Sequence, residues 1–186
     1  MAKLGLTAVV AVALAPVATA TTLARAEADN PEKVDAWFSR LTHTKLKTTR
    51  LRFYFHDTLS GKSPTAVCVA KAAMTKKSWM LFRAINIIDD PLTEGLEPES
   101  PLVGSAQGFY GSTRLESVPP LMDMNLVFTS PNYNSSTLSI LGRNLALETY
   151  RELPIVGGTG IFRLASGIAT AKKYFVVEYN VIAMHY

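Results

Sequence analysis

From Leu51 to His185 the chain is a succession of short runs rich in β-branched and aromatic residues, closed by Gly, Pro, Asn or Asp, and this punctuation constrains the fold most. Eight runs stand out: Leu51–Asp57, Thr65–Ala72, Trp79–Ile88, Gly104–Tyr110, Met122–Thr129, Thr137–Arg143, Ile161–Ala169 and Tyr174–His185. Turn signals fall at Ser60-Gly61-Lys62-Ser63-Pro64, Asp89-Asp90-Pro91, Pro119-Pro120 and Gly157-Gly158-Thr159-Gly160. The last reads as a tight turn whose glycines take positive φ. No segment offers three clear turns of amphipathic helix. Many short strands at close spacing predict an all-β fold, and closure into an antiparallel barrel removes edges that would pair with other chains. Eight strands enclose room for side chains or one small ligand. The expected architecture is therefore an eight-stranded antiparallel β-barrel with a central ligand cavity.

The 186 residues suit one domain, and 48% hydrophobic against 18% charged residues gives enough apolar surface for a core. Lys3, the apolar run Leu4–Val17 and Ala18-Thr19-Ala20 have the charged start, short apolar middle and small-residue end of a secretory signal. The expected organisation is a signal over 1–20, a loosely ordered arm over 21–49 and the barrel over 50–186. No stretch reaches the roughly 20 apolar residues of a membrane helix. A secreted, extracellular protein is expected. Its formal charge of +4 falls by one with Lys3, and without a basic run it gives no reason to expect a nucleic-acid partner.

Cys68 is the one cysteine, so no internal disulfide can form and packing must supply stability. Within the alternating run Thr65–Lys71 it reads as a small buried hydrophobe. Asn134-Ser135-Ser136 is a glycosylation sequon between turn residues, with Asn134 the acceptor. His43, His56 and His185 are far apart and lack cysteine partners, so no metal site is expected. No G-x-S-x-G elbow, dinucleotide loop or P-loop is present, and no cofactor is expected.

Six blocks taken in order resemble the plant dirigent family: Phe53-Tyr54-Phe55-His56-Asp57, Asp89-Asp90-Pro91-Leu92-Thr93, Ala106-Gln107-Gly108-Phe109-Tyr110, Ser136 through Asn144, Val156 through Arg163, and Val177-Glu178-Tyr179-Asn180-Val181. The resemblance implies an eight-stranded barrel, a trimer or dimer, a phenol-binding cavity in each subunit, and export to the apoplast. It implies a role without oxidative chemistry of its own. A laccase or peroxidase generates phenoxy radicals from coniferyl-alcohol-type monolignols, and the barrel steers their coupling in lignan biosynthesis. A tenfold stereochemical preference takes only about 1.4 kcal/mol. Other members are dehydratases that remove water from an isoflavanol through a quinone methide, giving pterocarpans. A phenol-binding or wall-binding protein without catalytic effect is the third reading.

Asp57, Tyr110 and Arg151 are the candidate catalytic residues, with Phe55 and Asn144 binding substrate. Under period-two alternation Phe53, Phe55 and Asp57 share one face, and an acid on an apolar wall has its pKa raised and can protonate a leaving hydroxyl. Its plainer role is to cap the turn Thr58-Leu59-Ser60-Gly61. Tyr110 resembles a cavity tyrosine that stacks on a phenolic ring, against a plain core role. Arg151, in Thr149-Tyr150-Arg151-Glu152, resembles a pocket arginine that stabilises a phenolate, against a surface pair with Glu152. Asn144 stands where lignan-forming members tend to carry a second aspartate, and an amide cannot act as an acid. Two further departures concern the scaffold. The segment Gly167–Val176 is short enough to force a very tight last hairpin, and Lys76–Asn86, with Trp79 and Phe82, makes one wall bulkier.

Overall fold

The computed structural model describes residues 31–73, 75, 83–113, 120–173 and 176–186. The signal segment 1–20 and the bulky residues Trp79 and Phe82 lie outside the described residues. Nine strands follow in chain order: β1 (Lys47–Phe55), β2 (Ala66–Lys71), β3 (Ala84–Thr93), β4 (Leu102–Gly111), β5 (Leu121–Phe128), β6 (Thr137–Arg143), β7 (Tyr150–Thr159), β8 (Ser166–Lys173) and β9 (Val177–His185). They line up as β1-β9-β8-β7-β6-β5-β4-β3-β2, antiparallel throughout, and a further pairing of β1 with β3 closes the sheet. The closed barrel thus has the expected eight strands, with β2 added on the edge of β3.

Most strands sit where the alternation places them, with three corrections. Residues Tyr150–Thr159 form β7, although Pro154, Gly157 and Gly158 read there as breakers. The strand survives because its ladder to β6 ends at the Ile140–Ile155 pair, one residue short of Pro154. Gly142 then seats the proline ring: a Cβ at 142 would lie 2.8 Å from Pro154 Cδ. The expected glycine turn accordingly lies within β7 up to Thr159, and only Gly160 takes the left-handed conformation, at φ +64°. Ile161–Ala169 is not one strand: Gly160–Phe162 is a 3-10 turn, and the strand begins at Ser166. The last hairpin is as tight as expected, since Lys173 pairs with Val177 across three residues, and its strands keep eight and nine residues.

The arm also differs. Pro31–Arg40 forms a helix, α1, with proline at its first position, Glu32 in the first turn and Arg40 in the last, where they complement the helix dipole. Arg163 lies over the Trp37 ring at 5.3 Å from its centroid and ties this helix to the barrel. β1 begins at Lys47, four residues before the apolar run that marks it.

β1 and β2 are two halves of one wall facing β3. Phe55 pairs with Leu92, and the next backbone bond runs from the His56 N–H to the Pro91 carbonyl at 3.2 Å. The ladder resumes at Thr65, whose carbonyl accepts the Asp89 N–H at 3.0 Å, and Ala66 then pairs with Ile88. Residues 57–64 are extruded between the ladder positions at Pro91 and Asp89, leaving Asp90 between them. The neck is pinned by the Thr65 and Ala66 N–H groups, both donating to the Thr58 carbonyl, and by the Thr58 N–H donating to Thr65 Oγ1 at 2.9 Å.

Inward residues alternate cleanly; on β5 they are Met122, Met124, Leu126 and Phe128, all buried. One half of the barrel is filled by rings. Phe53 stacks on Tyr179 at 5.8 Å and meets Phe128 edge-on at 6.3 Å, and Phe128 continues to Phe162 at 5.6 Å. Phe162 in turn packs on Tyr133 and His185. The other end of the barrel holds the pocket described next.

Candidate functional site

At that end a pocket of about 520 Å³ opens between the C-terminal ends of β1, β4, β6 and β8 and the N-terminal ends of β5, β7 and β9. This is within the range of small-molecule sites, roughly 300–1,000 Å³. Phe55, Asp57, Tyr110, Asn144 and Arg151, the five side chains singled out from the sequence for the reaction, all line it. Met122, Val177 and Tyr179 belong to its apolar part.

Arg151 is the most constrained of these groups. Its position alternates inward on β7 with Leu153 and Ile155, so it is only 6% exposed, while Glu152 points outward. The surface pair with Glu152 is thereby overturned. Arg151 pairs with Ala171 on β8, which pairs with Tyr179 on β9, and the small alanine leaves room for the guanidinium to reach the tyrosine hydroxyl. Burial pushes the Tyr179 pKa up, and Arg151 opposes that rise. The Nε and Nη1 of Arg151 have no hydrogen-bond partner among the described residues. A buried guanidinium with idle donors is costly unless an acceptor arrives.

Asp57 lies beyond the end of β1, which stops at Phe55, so it does not extend the inward face of that strand as the alternation predicts. It lines the pocket from the start of the extruded loop and is itself exposed. Partial desolvation still raises its pKa, an effect tempered by that exposure. Tyr110 is pushed up to about 12, first by burial and then by the negative charges of Asp57 and Asp90. Asn144 is buried; its amide N–H₂ reaches Met122 Sδ at 3.4 Å, and its Oδ1 has no partner among the described residues.

His56 borders the pocket too, but its imidazole is committed elsewhere. The Thr93 hydroxyl donates to the Gly95 carbonyl at 2.7 Å, so in the 2.7 Å contact with Thr93 the His56 Nε2–H must donate. Outside the pocket, Asn134 is exposed in the β5–β6 turn at the opposite end of the barrel. Cys68 is half-buried beside a bulge in β2, rather than fully buried as its run implies. Among the described residues no helix is long and apolar enough to cross a membrane.

The family model described as Dirigent-like protein matches residues 48–186, which is the whole barrel. The chain belongs to the dirigent family. Dirigent protein 23 of Arabidopsis thaliana is 49% identical over 162 residues, covering 82% of this chain and 87% of that protein. Pterocarpan synthase 1 of Glycyrrhiza echinata is 45% identical over 149 residues, covering 75% of this chain and 79% of its own length. The solved structure of the pterocarpan synthase dirigent protein GePTS1 superposes with a TM-score of 0.71 at 44% identity, over 76% of this chain and 92% of that one.

Two polar groups of this dirigent barrel are absent from the residues singled out in the sequence. Tyr179 sits in the last run at the same parity as Val181 and Ala183, so its inward position was legible and its partner Arg151 was not. Asp90 lies in a stretch that reads as a turn, Asp89-Asp90-Pro91, yet belongs to the interior of β3 and is fully buried. The alternation Ile88, Asp90, Leu92 is the signal that identifies it as inward.

Proposed function

We propose that this protein binds a phenolic substrate with its oxygen at Arg151 and controls the stereochemistry of a dehydrative ring closure through a quinone methide. The observation that carries this reading is the buried Arg151 with two idle donors in a pocket that Asp57 also lines, since a phenolate oxygen is the acceptor such a site lacks. Asp57 gives its proton to the hydroxyl on the carbon attached to the phenolic ring. That C–O bond breaks with its electron pair leaving as water, and the phenol, its own proton passed to solvent, becomes a quinone methide. A second hydroxyl of the same substrate adds to the vacated carbon. Its proton passes to the Asp57 carboxylate, and the ring oxygen recovers a proton as aromaticity returns. One water is lost and no oxidant is required. Phe55, Tyr110 and Asn144 hold one face of the ring system towards the attacking hydroxyl. The pterocarpan synthases among the relatives support this class of reaction.

A second reading uses the same pocket for radical coupling in lignan biosynthesis, with monolignol radicals supplied by a laccase or peroxidase. The aromatic walls made by Phe55, Tyr110 and Tyr179 favour it, because stacking alone can orient two phenolic rings. Chiral chromatography separates the two. Turnover of an isoflavanol to one enantiomer without oxidant supports the dehydratase; handedness that appears only with added laccase overturns it in favour of the guide.

The protein is further proposed to be exported to the apoplast through its 1–20 segment, to carry sugar at Asn134 and to act as a homotrimer. Exposed Ile87 and Phe109 pair across β3 and β4, with exposed Ile85, Leu121 and Leu141 near them, giving an apolar outer face suited to self-association.

A further inference from the structure

The pocket has a second carboxyl beneath it. Asp90 is 0% exposed and faces the barrel interior between Ile88 and Leu92. It pairs with the small Ala106 on β4, and neither of its carboxyl oxygens has a well-formed hydrogen bond among the described residues. The Thr65 hydroxyl, which also contacts the His56 carbonyl at 3.4 Å, acts on Asp90 in favour of its ionised form without meeting either oxygen in good hydrogen-bond geometry. The ladder brings the two acids to the same place: Phe55 pairs with Leu92 and the His56 N–H bonds the Pro91 carbonyl, so Asp57 follows, and Asp90 precedes, the last bonded pair of this wall.

We propose that Asp57 and Asp90 act as one proton-sharing pair, Asp90 storing the proton in the interior and Asp57 delivering it to the substrate's leaving hydroxyl. This rests on the dehydratase reading of the pocket. Asp57 alone is exposed and would be ionised in neutral water, which makes it a weak proton donor. A buried like-charged partner changes that, because two adjacent carboxylates do not both ionise freely. Burial, opposed by the Thr65 hydroxyl and reinforced by the negative charges of Asp57 and Asp89, pushes Asp90 up to about 7. Tyr110 on β4 and Tyr179 on β9 feel the charges of both acids. Cys68 on β2 acts on Tyr110, and Arg151 on β7 is engaged with Tyr179. Asp90 is a positioning residue: it does not line the pocket and works through Asp57.

The test is a carbon-13 NMR titration of the aspartate side-chain carboxyls in the mature protein without substrate, followed by pH profiles of turnover. Asp90 is expected to hold its proton to about pH 7. Asp57→Asn is expected to lower the titration midpoint of Asp90, because it removes a negative charge that opposes ionisation of Asp90. With an isoflavanol, the alkaline fall in kcat for Asp90→Asn should begin at lower pH than in the unsubstituted protein. If Asp90→Asn does not fold, the Asp57→Asn arm decides alone. An Asp90 that titrates with the surface carboxylates, an Asp90 midpoint unmoved by Asp57→Asn, or an unchanged turnover profile would overturn the pair. Because the titration uses no substrate, it remains decisive even if the protein turns over no isoflavanol, an outcome that would sink the dehydratase reading instead.

Discussion

Arg151 separates binding from stability at the scale of one residue. A buried cation with two unpartnered nitrogens stabilises the empty fold little, so Arg151→Met is expected to leave the melting temperature unchanged or raise it. Stereoselectivity should fall by about tenfold or more, since a hydrogen bond to a charged group contributes about 1.5–3 kcal/mol. Arg151→Lys keeps the charge and loses the planar fork, so it should restore only part of the effect. Asp57→Asn keeps the size and the hydrogen bonding of Asp57 but cannot give up a proton. A proton donor lost in this way should cost about 10²-fold in dehydration rate, and an unchanged rate would show that Asp57 only shapes the turn. Asp90 supplies the pH dependence of stability. Its pKa in the fold, about 7, is above the 3.8 of an ordinary aspartate, so the folded protein holds the proton more tightly. Its stabilising contribution is complete below about pH 4 and is lost as pH rises to about 7. Thermal melts across this window should therefore fall more steeply in the unsubstituted protein than in Asp90→Asn.

At the scale of elements, the barrel depends on a glycine that admits a proline. Gly142→Ala would push a methyl group to 2.8 Å from Pro154 Cδ. Overpacking of this kind typically costs about 1–3 kcal/mol. Adding Pro154→Ala to Gly142→Ala should restore most of the loss, and a double-mutant cycle by chemical denaturation measures the coupling. The same contact explains what the sequence does and does not reveal. Strands such as β5 are legible because each inward residue is apolar and each turn carries its breaker. β7 is hidden because its inward face starts with Arg151 and its outward face holds Pro154, so period two is masked at both ends. α1 is hidden because ten residues with Trp37 and Phe38 give too short a stripe. The pocket residues on or next to strands are legible by motif and parity, whereas the place where Asp57 leaves the wall near Asp90 depends on a break between β1 and β2, which local patterning does not encode.

The whole molecule is a barrel packed with rings at one end and open at the other, and its outer wall carries exposed Ile85, Ile87 and Phe109. Light scattering of the mature protein is expected to give three times the chain mass, and Phe109→Glu should reduce it to one by placing a charge in the apolar face; a monomer before substitution would rule out the trimer. Expressed in full with a tag, the chain should be recovered outside the cell with its N-terminus near Thr21. The extruded segment 57–64 has a consequence for how such proteins diversify. Since Thr58 and Thr65 clasp its two ends, the segment hangs from the wall like a pendant whose clasp, not its body, belongs to the scaffold. Its body can change length and chemistry at the rim of the pocket without shifting a single rung of the ladder. New substrate preferences can therefore arise there while the barrel keeps its stability, which makes this pendant the natural place to graft a different selectivity.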